Sequence, residues 1–160
     1  VRLRITAVGR LKSGSEREML DRYVERATLT GRSVHLSPLE IMEVAECPAK
    51  RPADRVQEEW AGLQKPMITG ARRVVLDSRG KSLSSEEFAV KLMQFRDGGA
   101  DATVFQIGGA DGLPADARKG ADLVLAFGAA TFPHQIVRIL LAEQIYRATT
   151  ILTGHPYHRA

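Results

Sequence analysis

Thr103-Val104-Phe105-Gln106-Ile107-Gly108-Gly109-Ala110-Asp111-Gly112 is the stretch on which the fold turns. A short, almost continuously apolar run stops abruptly at a glycine-rich turn, the pattern of a strand buried on both faces. The same pattern recurs on either side. Upstream, Val74-Val75-Leu76 ends at Asp77-Ser78-Arg79-Gly80; downstream, Leu123 to Phe127 ends at Gly128-Ala129-Ala130-Thr131. Helical stretches separate them. Ser84 and Glu87 form a capping box ahead of Phe88, Leu92 and Phe95, and Gly98-Gly99 closes that helix. Pro114 opens a short helix to about Lys119, and a long one runs from about Phe132 to Ala148.

The N-terminal half is less regular. Leu3 to Val8 alternates as a strand and stops at Gly9, and its interspersed charges do not suit a secretory signal. Met19, Leu20, Tyr23, Val24 and Ala27 mark one face of a helix closed by Gly31. Val34 to Ile41 alternates again, with Pro38 placing it at an edge. Arg51 to Gln64 is a further helix, bracketed by Pro48 and Pro66. Strand and helix alternation with buried strands predicts an α/β domain over 1–160, a mostly parallel sheet covered by helices on both faces.

Composition sets the bounds. A chain of 160 residues with 44% hydrophobic and 26% charged residues is one globular domain with a core of its own. Neither disorder nor collagen nor a coiled coil fits, and the longest apolar runs are too short for a membrane span. A single cysteine, Cys47, excludes an internal disulfide and a multi-thiolate metal site and suits a reducing compartment; the four histidines leave an imidazole site open. A net charge of +4 permits a polyanionic partner without requiring one.

In open parallel sheets, ligands bind beyond the carboxyl ends of the strands. Three neighbouring strands ending in small residues either turn corners or build a cleft lined by main chain, suited to a nucleotide-like cofactor. The turns match neither the dinucleotide fingerprint nor the phosphate loop. Gly80-Lys81-Ser82 ends like the latter, but Val75 stands where its first glycine belongs. Thr131 and Pro133 suit a helix start, which leaves His134 facing either a ligand or solvent. The tail His155-Pro156-Tyr157-His158-Arg159 is either a frayed end or an imidazole, phenol and guanidinium cluster fit for proton transfer and phosphate contact. Arg2, Arg4, Arg10 and Lys12 are a solvated edge or an RNA-facing surface.

Leu76-Asp77-x-x-Gly80-Lys81, Ile107-Gly108-Gly109-x-x-Gly112-Leu113, Thr131-Phe132-Pro133-His134-Gln135-x-Val137-Arg138 with its continuation to Ala148, and the His155–Arg159 tail together resemble the ribosomal large subunit methyltransferase H family. That is the small single-domain group of the SPOUT class of RNA methyltransferases. The resemblance implies a SPOUT-type fold with a C-terminal trefoil knot, its cofactor-binding part at about 71–160. It implies S-adenosylmethionine as methyl donor, with no metal, and a cytoplasmic homodimer with no membrane association. The substrate would be N3 of a pseudouridine in 23S rRNA of the assembled ribosome. Cofactor contacts fall on Leu76, Gly108, Phe127, Gly128, Ala129, Ala130, Thr131 and Phe132. Phe127-Gly128 stands where the family commonly has Leu-Ser. Methylation requires the N3 proton to leave, which calls for a base or a positive charge beside the ring. His158 and Arg159 are the candidates, with Tyr157 positioning them and His134 in reserve. The apolar face of the Phe132–Ala148 helix is expected to meet its counterpart, so that one subunit's tail completes the other's site. Two other readings remain: a non-catalytic ribosome-binding protein of this fold, and a flavodoxin-like nucleotide hydrolase using Asp77 and Asp111.

Overall fold

Alternation along Arg2–Val8 produces strand β1, whose Leu3, Ile5 and Ala7 are completely buried. The computed structural model describes residues 1–159; Ala160, the last position of the expected domain, lies outside the described residues. After β1 come α1 (Ser15–Gly31), β2 (Leu39–Val44), α2 (Pro52–Gln64), β3 (Arg72–Ser82) and α3 (Ser85–Asp97). Then follow β4 (Ala102–Ile107), α4 (Ala115–Lys119), β5 (Leu123–Ala126) and α5 (His134–Thr153). The strands lie in the order β2-β1-β4-β3-β5, and every pairing is parallel. This is the sheet expected.

Central β4 is buried at all of its positions, as a strand covered on both faces must be. On one face α1, α3 and α5 pack over Leu3, Ile5 and Phe105, with Phe88, Leu92, Leu141 and Ile145 completing the core. α2 packs beside β1 and β2, where Leu63 is buried and its carbonyl accepts from Gln106 Nε2 at 3.0 Å. Crossover helices of this kind are what parallel strands need to connect.

Three boundaries depart from expectation. The alternation at Val34 and Leu36 is not a strand. Arg32–Val34 is a turn of 3-10 helix, His35 sits in the left-handed region at φ 58°, and Leu36 fills the core from a loop. β2 begins only after the cis Ser37–Pro38 peptide, once the Pro38 carbonyl has accepted from Leu3 N at 2.9 Å. β3 runs past Leu76: residues 77–80 loop out, and Lys81 and Ser82 return to pair with Leu125 and Ala126. α5 begins after Thr131, which does not cap it, since Pro133 holds that position. It continues to Thr153, with threonine hydroxyls turned back onto the helix. Thr149, Thr150 and Thr153 donate to the carbonyls of Tyr146, Arg147 and Thr149 at 2.6, 2.6 and 2.9 Å. The capping box of α3 forms as expected, with Glu87 N to Ser84 Oγ at 3.1 Å and Ser84 N to Glu87 Oε2 at 2.7 Å.

Candidate active site at the strand ends

The turns after β3, β4 and β5 converge on one cleft of about 720 Å³. Its walls include Leu76, Gly108, Phe127, Gly128, Ala130, Thr131 and Phe132, with His134 and Val137 contributed by α5. Ala129 belongs to the same turn but does not line the cleft. The glycines are structural requirements. A Cβ on Gly108 would lie 2.7 Å from the Gly112 carbonyl oxygen, and one on Gly80 would lie 2.6 Å from that of Val124. Gly128 has φ 98°, a left-handed conformation that disfavours a side chain and gives a physical reason for glycine there.

Side chains that share the lining, Asp77, Asp111 and Arg118 among them, brace the turns. Asp77 accepts from Arg118 at 3.1 Å and from the Arg79 amide at 2.8 Å. Asp111 is gripped by Arg55 at 2.7 and 3.1 Å, and that pairing holds its carboxyl below the usual range. Both carboxylates needed by the hydrolase reading are therefore engaged with guanidinium groups. Among the described residues no group of three or more His, Cys, Asp or Glu is placed to hold a metal ion, and no helix is long and apolar enough to cross a membrane.

The start of α5 is fixed by a residue that no sequence motif marks as functional. Arg138 is fully buried; it donates to the carbonyls of Val8 and Gly9 at 3.1 Å each and to Glu43 at 2.8 Å. Glu43 also accepts from Leu11 N at 2.6 Å and from Arg17 at 3.1 Å. Burial raises the Glu43 pKa, but those donors outweigh it and hold the carboxyl below its usual range. Its signal in the sequence is an arginine set directly between Val137 and Ile139, which needs a buried partner. This clamp sets His134 beside the cleft. Among the described residues its Nε2 has no hydrogen-bond partner, with Glu46 3.9 Å away.

The tail is docked, not frayed. The Tyr157 ring lies 4.5 Å from that of Tyr146 and 4.7 Å from the Arg147 guanidinium, and its hydroxyl donates to Glu143 Oε1 at 3.0 Å. Burial and that bond to Glu143 push the Tyr157 phenol up to about 12, so it is a neutral donor at physiological pH. Glu143 Oε1 also accepts from Arg147 Nε and Nη2 at 3.0 and 2.7 Å. His158 bonds Glu86 at 2.8 Å and Arg147 at 3.2 Å, while Arg159 is exposed. Tyr157, His158 and Arg159 do not line the cleft. Within one chain the expected site therefore falls into two parts, the cleft with His134 and the tail cluster.

Residues 1–158 match the family described as predicted SPOUT methyltransferase. The ribosomal RNA large subunit methyltransferase H of Xanthobacter autotrophicus is 52% identical over 160 residues, which cover 100% of both chains. That of Mesorhizobium japonicum is 49% identical over the same full length. Among solved structures, a probable methylase family protein from Haemophilus influenzae Rd KW20 shares the fold, with a TM-score of 0.50 and 11% identity. The match covers 99% of this chain and 70% of that one.

Proposed function

The chain belongs to the SPOUT methyltransferase family and to its ribosomal RNA large subunit methyltransferase H group, and from that premise we propose that it methylates N3 of a pseudouridine in 23S rRNA, on the assembled ribosome and with S-adenosylmethionine as donor. The observation that carries this reading is the cleft at the three strand ends. Its size suits a nucleoside-sized ligand, and its glycine turns leave peptide groups bare where a side chain would obstruct. The residues present fit the donor. The peptide groups of the turns after β4 and β5 would hold its polar edges, and Leu76, Phe127 and Phe132 would flank its apolar parts. When bound, the donor supplies an electrophilic methyl group on a sulfonium, which needs alignment more than activation.

The chain's own residues do the rest. The N3 proton must leave, and the negative charge that develops on the ring must be met. His158 and Arg159 bring that function, Tyr157 fixes the segment that carries them, and His134 lies beside the cleft in reserve. Because the tail stays away from its own cleft, the reading includes a homodimer in which one copy's tail completes the other's site. Leu141 and Ile145 of α5 are committed to the core; half-buried Ile136 and Leu140 are left for a partner helix. A ribosomal substrate places the reaction in the cytoplasm. The SPOUT knot is part of the same reading.

The test is mass spectrometry of 23S rRNA fragments from ribosomes lacking this protein, before and after its addition with S-adenosylmethionine. A gain of one methyl on the pseudouridine is expected. Calorimetry showing no donor binding at millimolar concentration would favour the non-catalytic ribosome binder instead. Light scattering should find a dimer at micromolar concentration, and a stable monomer would remove the composite site.

A further inference from the structure

At the end of the chain one imidazole is held from both sides. A guanidinium carries N–H donors and no acceptor. At the 3.2 Å contact between Arg147 Nη1 and His158 Nδ1, the arginine must therefore donate and Nδ1 must present its lone pair. The single proton of the ring then lies on Nε2, 2.8 Å from Glu86 Oε1, which accepts it. Both ring nitrogens are engaged.

We infer that Glu86 is a positioning residue: it fixes His158 in the Nε2–H form on the first turn of α3 and so directs Arg159, the next residue, outward as the acting charge. Three features support the assignment. Glu86 stands on a rigid platform, because the Ser84–Glu87 capping box closes that turn. Its hydrogen bond from His158 holds its carboxyl below the usual range, so it is an acceptor at neutral pH. The groups that face the imbedded ring are Glu86 from α3, Arg147 from α5 and, through Arg147, Glu143. None leaves a ring nitrogen open to take a substrate proton. His158 then serves as the anchor instead of the base, Arg159 as the group that meets the developing negative charge, and the proton on N3 passes to His134, whose Nε2 has no partner among the described residues.

The activity arm of this inference rests on the methyltransferase reading; the tautomer does not. Long-range ¹⁵N NMR of the full chain is expected to show His158 with protonated Nε2 and bare Nδ1. Glu86→Gln retains an oxygen acceptor and should keep that tautomer, with methylation within about threefold of the native rate. Glu86→Ala, at a half-exposed position where folding is checked by thermal melting, should lower kcat about tenfold and leave donor affinity unchanged. An Nδ1–H tautomer in the native chain, or an alanine variant at full rate, overturns the assignment. A chain with the expected tautomer that transfers no methyl would sink the methyltransferase reading while still supporting the Glu86–His158 pair.

Discussion

The cleft and the tail cluster are both attached to α5, yet they are built from opposite materials. The cleft is shaped by peptide backbone passing close to peptide backbone, as where Gly80 meets Val124 and Gly108 meets Gly112. The tail cluster is shaped by side chains: one carboxylate, Glu143, accepts from Arg147 and Tyr157, and Arg147 in turn holds His158. At those crossings the first kind of site is sensitive to an added carbon and has little side-chain chemistry to lose. The second is the reverse. Binding of the donor and delivery of the acceptor should therefore fail independently.

The largest effect should come from Gly108→Ala. Its methyl would sit 2.7 Å from the Gly112 carbonyl oxygen, and the turn must move to admit it. Donor affinity measured by calorimetry should fall by about 10- to 100-fold, whereas Arg159→Ala should leave it unchanged. Equal losses in both variants would break the division. Next is Glu143→Ala, which strips Arg147 and Tyr157 of their acceptor. Denaturant melts should show a loss of about 2 kcal/mol, methylation should collapse, and donor affinity should hold.

Smaller effects sharpen the boundary between the two regions. The Glu43 clamp ties β1 to α5, and its carboxyl is held below the usual range. In mild acid the folded chain thus carries fewer protons than the unfolded one. Its contribution is complete above the ordinary carboxylate range and is lost as the pH falls through the lowered native value. Glu43→Gln should cost about 1–2 kcal/mol at pH 7 and flatten the acid limb of a stability profile. The smallest change is expected for Gly128→Ser. At φ 98° the serine costs about 1 kcal/mol of stability, but no atom stands within 4 Å of its Cβ, so donor affinity should stay within about threefold.

Glycine placement makes the cleft legible in the sequence, because a turn that needs bare backbone can be written in few ways. Parallel strands with crossover helices were legible for a similar reason: Val74–Val75 and Thr103–Ile107 are too apolar to face water. What was hidden depends on contacts distant in sequence. Nothing local in Val34–Leu36 says that a loop, not a strand, fills the core there. Thr149 and Thr150 interrupt the apolar pattern of α5, yet both are buried because their hydroxyls are satisfied within the helix. Residues 77–80 leave β3 and return, which only the partner strand β5 reveals. The tail was the hardest case, since Glu86 lies 72 positions before the histidine it holds.

The close approach of Gly108 to Gly112 has a practical consequence for anyone wishing to enlarge the cleft for a bulkier ligand. Side chains such as Leu76, Leu113 and Phe127 can be trimmed one by one, but where Gly108 meets Gly112 the wall is peptide against peptide and has no side chain to remove. Room there has to be made by lengthening or shortening the turns themselves.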